Sequence, residues 1–590
     1  MLNATLAASA PPGIRPVDDA DPMSERRAAG NLLRVQADST DQAFDVNDGA
    51  KLDLGSTAKL RTLVTYLEIV AEFHDRFGRL DRAALHWVRV SPRDELGRWA
   101  LDYLTRTDDR RLSAILDAAL DRRYSASPRE AFFTGGGVHY FGNFHRHDDD
   151  RIVTVREAFS ESINLPFVRL MRDIVQHLMF GLDASGWLPE PVPAQRDEYL
   201  ARFAAREGET FLRRFCRKYR GRDPDAMIEL LASSVKRVPG RQAAAFLAVA
   251  PDANVEGLGD HLTRHLPRGA PFDVNALYLR YASERYSLDD RGTLAHIHPL
   301  ELWLVKYLRR RPDATVSDVL AASTRARQES YRWLFHTSDV QAQEIRIGTV
   351  REEDAFAKIA ESWRRLGYPF DSLVPSYATA IGSSADRPAA LVELMGIIAN
   401  DGMRMPVLKI GALHFASDTP FESRLVPALS RPQRVLAPEI AATVRTALRS
   451  VVERGTARRL AVPLTLADGS KAAFAGKTGT CDSRVDVFGP GGRVVSSRAA
   501  SRAGTFVFML GDRYFGTISA YVSGAAAQQY EFTSALPLQV LNVLAPVLAR
   551  HLGNACVFQA EGKILVRKNS SPPGTQRVAA VDARQTVPRR

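Results

Sequence analysis

The sequence predicts a mixed helix-and-strand chain interrupted by a long, mostly helical stretch. Three observations carry this. Leu60, Leu63, Val64, Leu67 and Val70 follow Gly55-Ser56-Thr57-Ala58-Lys59 at spacings of three and four, one apolar stripe of a helix. Thr505–Leu510 and Phe515–Val522 are β-rich runs joined by Gly511-Asp512-Arg513-Tyr514, a hairpin signal. From about residue 180 to 370, amphipathic helical segments such as Leu300–Leu308 and Val316–Leu334 dominate, with little strand pattern, as expected of a helical insertion.

The remaining elements follow in chain order. Residues 1–30 are rich in Ala, Pro and Asp and predict an irregular segment. From Asn31 to Asp53 apolar and polar residues partly alternate, which predicts short strands. The first helix is expected to start near Ser56, with Gly55 allowing a tight approach. Residues 134–147 read as a Gly- and aromatic-rich loop, and Thr154–Met171 as a helix broken near Leu165-Pro166. Ala472–Gly479 is a small-residue strand. Beyond Arg567 the chain is polar, basic and Pro-rich, which predicts a disordered tail.

Composition narrows the class. At roughly 100–200 residues per domain, 590 residues mean several units, or one catalytic unit with large insertions. A hydrophobic share of 45% and a charged share of 25% exclude a wholly disordered, collagen-like or disulfide-scaffold chain. The net charge of +11 permits attraction to a polyanion without demanding it. Cys216, Cys481 and Cys556 are few and far apart, so neither a disulfide framework nor a metal site follows. Apolar runs such as Ala243–Ala250 and Ala389–Ala399 are too short to span a bilayer, which needs about 18 or more such residues. Met1–Gly13 lacks the basic start of a signal peptide.

Three short motifs carry chemistry. In Ser56-Thr57-Ala58-Lys59 the hydroxyl and the amine sit at i and i+3, on one helix face. A serine needs an adjacent base to become a nucleophile, and a desolvated lysine can be neutral enough to serve. Ser162-Ile163-Asn164 places a hydroxyl and an amide two residues apart on a turn. Lys477-Thr478-Gly479-Thr480 ends the small-residue strand, with a positive charge, two hydroxyls and a glycine against which a substrate backbone can lie. Alone, the first reads better as a capping serine and a surface lysine, and Ser233-Ser234-Val235-Lys236 is such an accident. In this order, the three form the signature set of penicillin-binding proteins and serine β-lactamases.

The flanking sequence resembles the penicillin-binding transpeptidase family over roughly residues 31–175 and 372–550. Ile381-Gly382-Ser383-Ser384, Ala399–Pro406 and Val451–Ala457 resemble its class A, bifunctional type. The resemblance implies an α+β fold, a five-stranded antiparallel sheet flanked by helices. The corresponding division is an irregular 1–30, a transpeptidase part at 31–175, a helical insertion at 176–371, a second part at 372–555, and a strand and basic tail at 556–590.

By the same resemblance, Ser56 is the nucleophile that attacks the D-Ala-D-Ala bond of a peptidoglycan stem peptide, and Lys59 is its base. Ser162 relays a proton to the leaving amine, positioned by Lys477. Asn164 binds the acyl chain and Lys59. Thr478 and Thr480 bind the terminal carboxylate, with Gly479 between them, and the backbone N–H groups of Ser56 and Thr480 form the oxyanion hole. The implied activity is D,D-transpeptidation, with no cofactor and no metal. The implied partners are stem peptides and glycan strands, β-lactams as acylating inhibitors, and cell-wall synthesis partners docked on the insertion, with no specific nucleic acid. The implied place is the cell-envelope side of the inner membrane. The family's class A members carry a membrane anchor and a glycosyltransferase ahead of this domain, for which the residues before Asn31 leave no room. A truncated or late-started chain is the corresponding expectation.

Two other readings stay open. One is a D,D-carboxypeptidase or β-lactamase-like hydrolase; the other is a non-catalytic cell-wall scaffold on a transpeptidase fold. His139, His145, His147 and Asp148–Asp150 read as a solvated loop, too crowded for a tetrahedral metal set. Arg213–Arg220 reads as a solvated helix face, and Trp303, Trp333 and Trp363 as core or interface anchors.

Overall fold

In the computed structural model the described residues are 2–9, 29–37, 49–134, 137–181, 193–283, 285–336, 339–407, 413–417, 419–425, 431–488, 494–552, 558–560, 563–565 and 580–581. The chain divides into two compact units, Met1–Trp187 with Glu352–Arg590, and Leu188–Arg351.

The first unit is built on an antiparallel sheet. Its strands are β1 (Leu2–Ser9), β2 (Ala29–Ala37), β3 (Phe474–Phe488), β4 (Val494–Leu510) and β5 (Tyr514–Ser523). They lie in the order β3-β4-β5-β1-β2. Residues Thr505–Leu510 of β4 are buried one after another, as in a central strand covered on both faces. β3 is an edge strand, so alternate backbone groups along it are left without a ladder partner.

Two sequence expectations change here. Residues 1–30 are not irregular throughout: Leu2–Ala8 of β1 pair with Tyr514–Ala520. An Ala-rich run has weak strand propensity of its own, and an available sheet edge decides its conformation. β3 also runs past Gly479 to Phe488, through polar Asp482, Ser483 and Arg484, because β4 supplies ladder partners along that length.

The helices that position the site are α1 (Ala58–Phe77), α2 (Val155–Glu161), α3 (Asn164–Phe180), α4 (Pro388–Ala399), α5 (Pro438–Glu453) and α6 (Ala535–His551). A 3₁₀ turn, Gly55–Thr57, leads into α1. The predicted stripe of α1 is buried, and so is its polar side. Arg61 pairs with Asp386 at 2.7 Å, Trp363 Nε1 donates to Thr65 Oγ1 at 3.0 Å, and the Tyr66 hydroxyl donates to the Ala119 carbonyl at 2.9 Å. Thr154 and Glu157 form a capping box that starts α2. The break expected near Leu165-Pro166 falls at Ser162-Ile163 instead. Pro166 sits in the first turn of α3, where its missing N–H goes unneeded.

The second unit is helical, and no strand occurs among its described residues. Leu212, Tyr219, Leu231, Leu304 and Leu308 lie in its core. The basic run lies on helix Pro193–Tyr219, with Arg213, Arg214 and Arg217 exposed and Phe215, Cys216 and Tyr219 buried. Val316–Leu334 is not one helix but three, Val316–Ala322, Thr324–Ser330 and Arg332–His336; the Ser323 hydroxyl bonds back to the Leu320 carbonyl at the first break.

The units' limits differ from the expected 176 and 371. Ile174 and Val175 are buried in the first unit's core and Leu178 packs against it, as do Phe356, Ile359 and Trp363 from the end of helix Val340–Arg365. Apolar periodicity marks a buried face but not the core it joins. Among the described residues no helix is long and apolar enough to cross a membrane. Cys556, the side chain of Trp333 and most of 556–590 lie outside the described residues.

Candidate active site

Ser56 occupies the middle of the 3₁₀ turn and is partly exposed, while Gly55 and Thr57 beside it are buried. The turn is pressed against β3. A Cβ at Gly479 would collide with the Leu54 carbonyl and lie 2.8 Å from Thr57 Cγ2. A Cβ at Gly55, whose φ is +55°, would collide with the Thr480 carbonyl and lie 3.1 Å from the Thr480 nitrogen. Gly479 therefore admits the serine-bearing turn itself. The approach also places the Thr480 peptide beside Gly55, one residue from Ser56.

Lys59 is fully buried one turn on. Its Nζ lies 2.7 Å from the Ser162 carbonyl, 2.7 Å from Asn164 Oδ1 and 2.9 Å from Ser56 Oγ, with Ser162 Oγ at 3.3 Å. Burial holds its ammonium well below the usual lysine range, and the charge of Lys477 lowers it further. A neutral amine has two N–H groups and one lone pair. The Ser162 carbonyl and Asn164 Oδ1 can only accept, so they take the two N–H groups. The lone pair is left for a hydroxyl, and Ser56 is the nearer one. The amide of Asn164 is oriented by its own donation, Nδ2 to the Gly142 carbonyl at 3.1 Å.

Ser162 ends α2 with φ 62° and ψ 32°, a left-handed conformation uncommon for a residue with a Cβ. That conformation turns both its carbonyl and its hydroxyl toward lysines. Lys477 Nζ donates to Ser162 Oγ at 2.8 Å and to the Thr478 carbonyl at 2.9 Å. Lys477 is fully buried, and burial lowers its pKa to about 7. The rings of Phe167 and Phe159 lie 5.9 Å from Lys59 Nζ and 5.6 Å from Lys477 Nζ, respectively. Two buried amines beside apolar rings thus share one serine, Ser162.

The hydroxyls of β3 are arranged less simply than the motif suggests. Thr478 is buried, and its Oγ1 is 2.6 Å from Oγ1 of the exposed Thr456. Thr480 Oγ1 accepts from the Ser534 N–H at 2.9 Å. Thr456 also donates its N–H to the Ser160 carbonyl at 3.1 Å, tying α2 to the segment after α5. The sequence reading noted Val451–Ala457 as a family match and missed that Thr456 reaches the motif strand. Nor did it find Gly142 and Asn143, since neither stands in a motif.

The other polar clusters are structural. Asp148 receives Arg151 at 2.8 Å, and the His145 and His147 rings stack at 5.2 Å. Among the described residues no group of three or more His, Cys, Asp or Glu side chains is placed to hold a metal ion. Trp363 is a core residue, and Trp303 stacks on Tyr307.

No protein-family model matches the chain, and no curated protein matches it in sequence. Among solved structures, penicillin-binding protein 3 from Mycobacterium tuberculosis, complexed with aztreonam, is similar at 14% identity. That alignment covers 93% of this chain and 72% of the other, with a TM-score of 0.34. The D,D-transpeptidase domain of a peptidoglycan glycosyltransferase from Eggerthella lenta is similar at 13% identity over 92% of this chain and 79% of the other, TM-score 0.34. These neighbours are penicillin-binding proteins and their transpeptidase domains. The apo form of the Mycobacterium protein aligns at 25% identity over 35% of this chain, TM-score 0.24, and the chain spans 47% of its length.

Proposed function

We propose that this chain is a serine acyltransferase of the penicillin-binding kind, a peptidoglycan D,D-transpeptidase. The observation that carries the reading is the contact of Ser56 Oγ with the buried Lys59 Nζ at 2.9 Å, in a pocket that also holds Ser162 and Lys477.

Neutral Lys59 takes the Ser56 proton as Oγ attacks the carbonyl between the last two D-alanines of a stem peptide. The backbone N–H groups of Ser56 and Thr480 stabilise the resulting oxyanion; a donor of this kind is worth about 2.7–4 kcal/mol in other serine enzymes. The C–N bond breaks, and the leaving amine receives its proton through the Ser162 hydroxyl, which Lys477 and Lys59 both contact. The terminal carboxylate of the donor binds at Thr480 and at the Thr478–Thr456 pair, beside Lys477. An amine of a second stem peptide then attacks the acyl-enzyme, restores Ser56 and leaves the cross-link. β-Lactams acylate the same serine. Acting on peptidoglycan, the enzyme works on the cell-envelope side of the membrane, beside glycan strands.

Labelling with a fluorescent penicillin, followed by gel electrophoresis, tests the reading. Wild-type protein is expected to carry one covalent label and Ser56→Ala none; equal labelling of both would sink it. Adding a D-amino acid acceptor to the acyl-enzyme then separates transfer from hydrolysis. Exchange product means transferase; release of free acid alone means a hydrolase.

A further inference from the structure

The loop between the first and second motifs contributes more than a surface. Asn143 is bound on every side. Its Nδ2 donates to the Ala126 carbonyl at 2.7 Å and to Asp149 Oδ1 at 2.9 Å. Its Oδ1 accepts from the Leu165 N–H at 3.1 Å, in the first turn of α3 and one residue after Asn164. Its neighbour Gly142 offers the carbonyl to which Asn164 Nδ2 donates at 3.1 Å. Asn164 Oδ1 in turn accepts from Lys59 at 2.7 Å. The donation to Gly142 sets which end of the Asn164 amide meets the amine.

We propose that Asn143 is a positioning residue: it locks the 142–149 loop to the start of α3, so that the Gly142 carbonyl orients Asn164 and Asn164 aims the lone pair of Lys59 at Ser56. The inference rests on the acylation chemistry proposed above and adds to it a residue outside the three motifs. If Asn143 were removed, the Gly142 carbonyl would be free to drift and the Asn164 amide free to rotate. Its amide nitrogen would then face Lys59, and the amine would turn a hydrogen toward Ser56 in place of its lone pair. Misplacing a catalytic group by about 1 Å costs on the order of 100-fold in rate.

The test is a double-mutant cycle on acylation by a β-lactam, resolved into non-covalent affinity and the acylation rate constant. Asn143→Ala is expected to lower the rate constant roughly 10- to 100-fold, with affinity little changed and a lower melting temperature from the three hydrogen bonds lost. In an Asn164→Ala background the same substitution should have no further effect, because it acts through Asn164. Asp149→Asn, which keeps an oxygen for Asn143 Nδ2, should retain the wild-type rate, and Asp149→Ala should lose part of it. Additive losses at Asn143 and Asn164, or an unchanged rate constant in Asn143→Ala, overturn the proposal. If Asn143→Ala does not fold, the two Asp149 variants decide it: equal wild-type rates in both reject it. Should wild-type protein take no label at all, the acylation reading fails separately. The pH dependence of Lys59 acetylation by acetic anhydride, followed by mass spectrometry, then reads the clamp directly. Lys477 is the titratable group that faces Lys59 and is followed in the same spectra. An unchanged Lys59 profile in Asn143→Ala rejects the clamp.

Discussion

Lys477 donates to the Ser162 hydroxyl at 2.8 Å from a fully buried position. Burial brings its pKa down to about 7 from an ordinary value of 10.5. The fold therefore disfavours its charged form. Between pH 7 and 10.5 the unfolded chain holds a proton that the native chain has lost, so this group makes stability rise with pH across that window. Below pH 7 both states are protonated and the penalty is constant. Lys477→Met is expected to be more stable than wild type near pH 7, with the difference shrinking toward pH 10, and to lose acylation. Thermal melts of both proteins from pH 6 to 10 check the sign; a difference that grows with pH would contradict it.

The glycine of the third motif is predicted to be structural. Gly479→Ala pushes a methyl into the Leu54 carbonyl and Thr57. Such overpacking costs about 1–3 kcal/mol, and here it displaces the turn that carries Ser56. Melting temperature should fall, and penicillin labelling should fall far more. A variant that melts lower but labels at the wild-type rate would show that the turn tolerates the shift.

Thr456 is expected to share in carboxylate recognition. Thr456→Val leaves the buried Thr478 hydroxyl without its 2.6 Å partner, a loss of about 1–3 kcal/mol for a buried hydrogen-bonding group. Affinity for a β-lactam bearing its free carboxylate should drop roughly tenfold or more, while Thr456→Ser restores it. The methyl ester, which lacks the charge, should show little difference between the variants. Equal losses for acid and ester would assign Thr456 a packing role only.

Arg61 and Asp386 hold α1 in place from its polar side. Arg61 is fully buried and its Nε is 2.7 Å from Asp386 Oδ2. It also donates to the carbonyls of Leu366 and Ala390, and it lies over the rings of Trp363 and Tyr368. Breaking such a buried pair on one side costs about 3–5 kcal/mol. Asp386→Ala should lower the urea midpoint by that equivalent. A loss under about 1 kcal/mol, the range of an exposed pair, would mean that water reaches the pair.

The motif residues were legible because their chemistry depends on spacing along the chain. Ser56 and Lys59 meet at i and i+3 on any helix, and Lys477 precedes a glycine that a close approach requires. That Ser162 and Asn164 meet Lys59 while Lys477 meets Ser162 follows from the resemblance alone, since nothing local relates positions so far apart. Asn143, Gly142 and Thr456 escaped because an Asn, a carbonyl and a Thr in a loop look alike whether or not they touch a motif residue.

The sequence by itself determined the helix after Ser56, the motif strand, the β4–β5 hairpin and the helical middle, because each follows from local periodicity and turn chemistry. Tertiary structure alone decided that β1 joins the sheet, that Ser162 adopts a left-handed backbone, and that both faces of α1 are buried. It also decided that Gly479 faces the turn that carries Ser56. The physical reason is common to these cases. Ladder partners, buried ion pairs and close backbone approaches are made by residues distant in sequence, and their free energies outweigh the local preferences that a single chain displays.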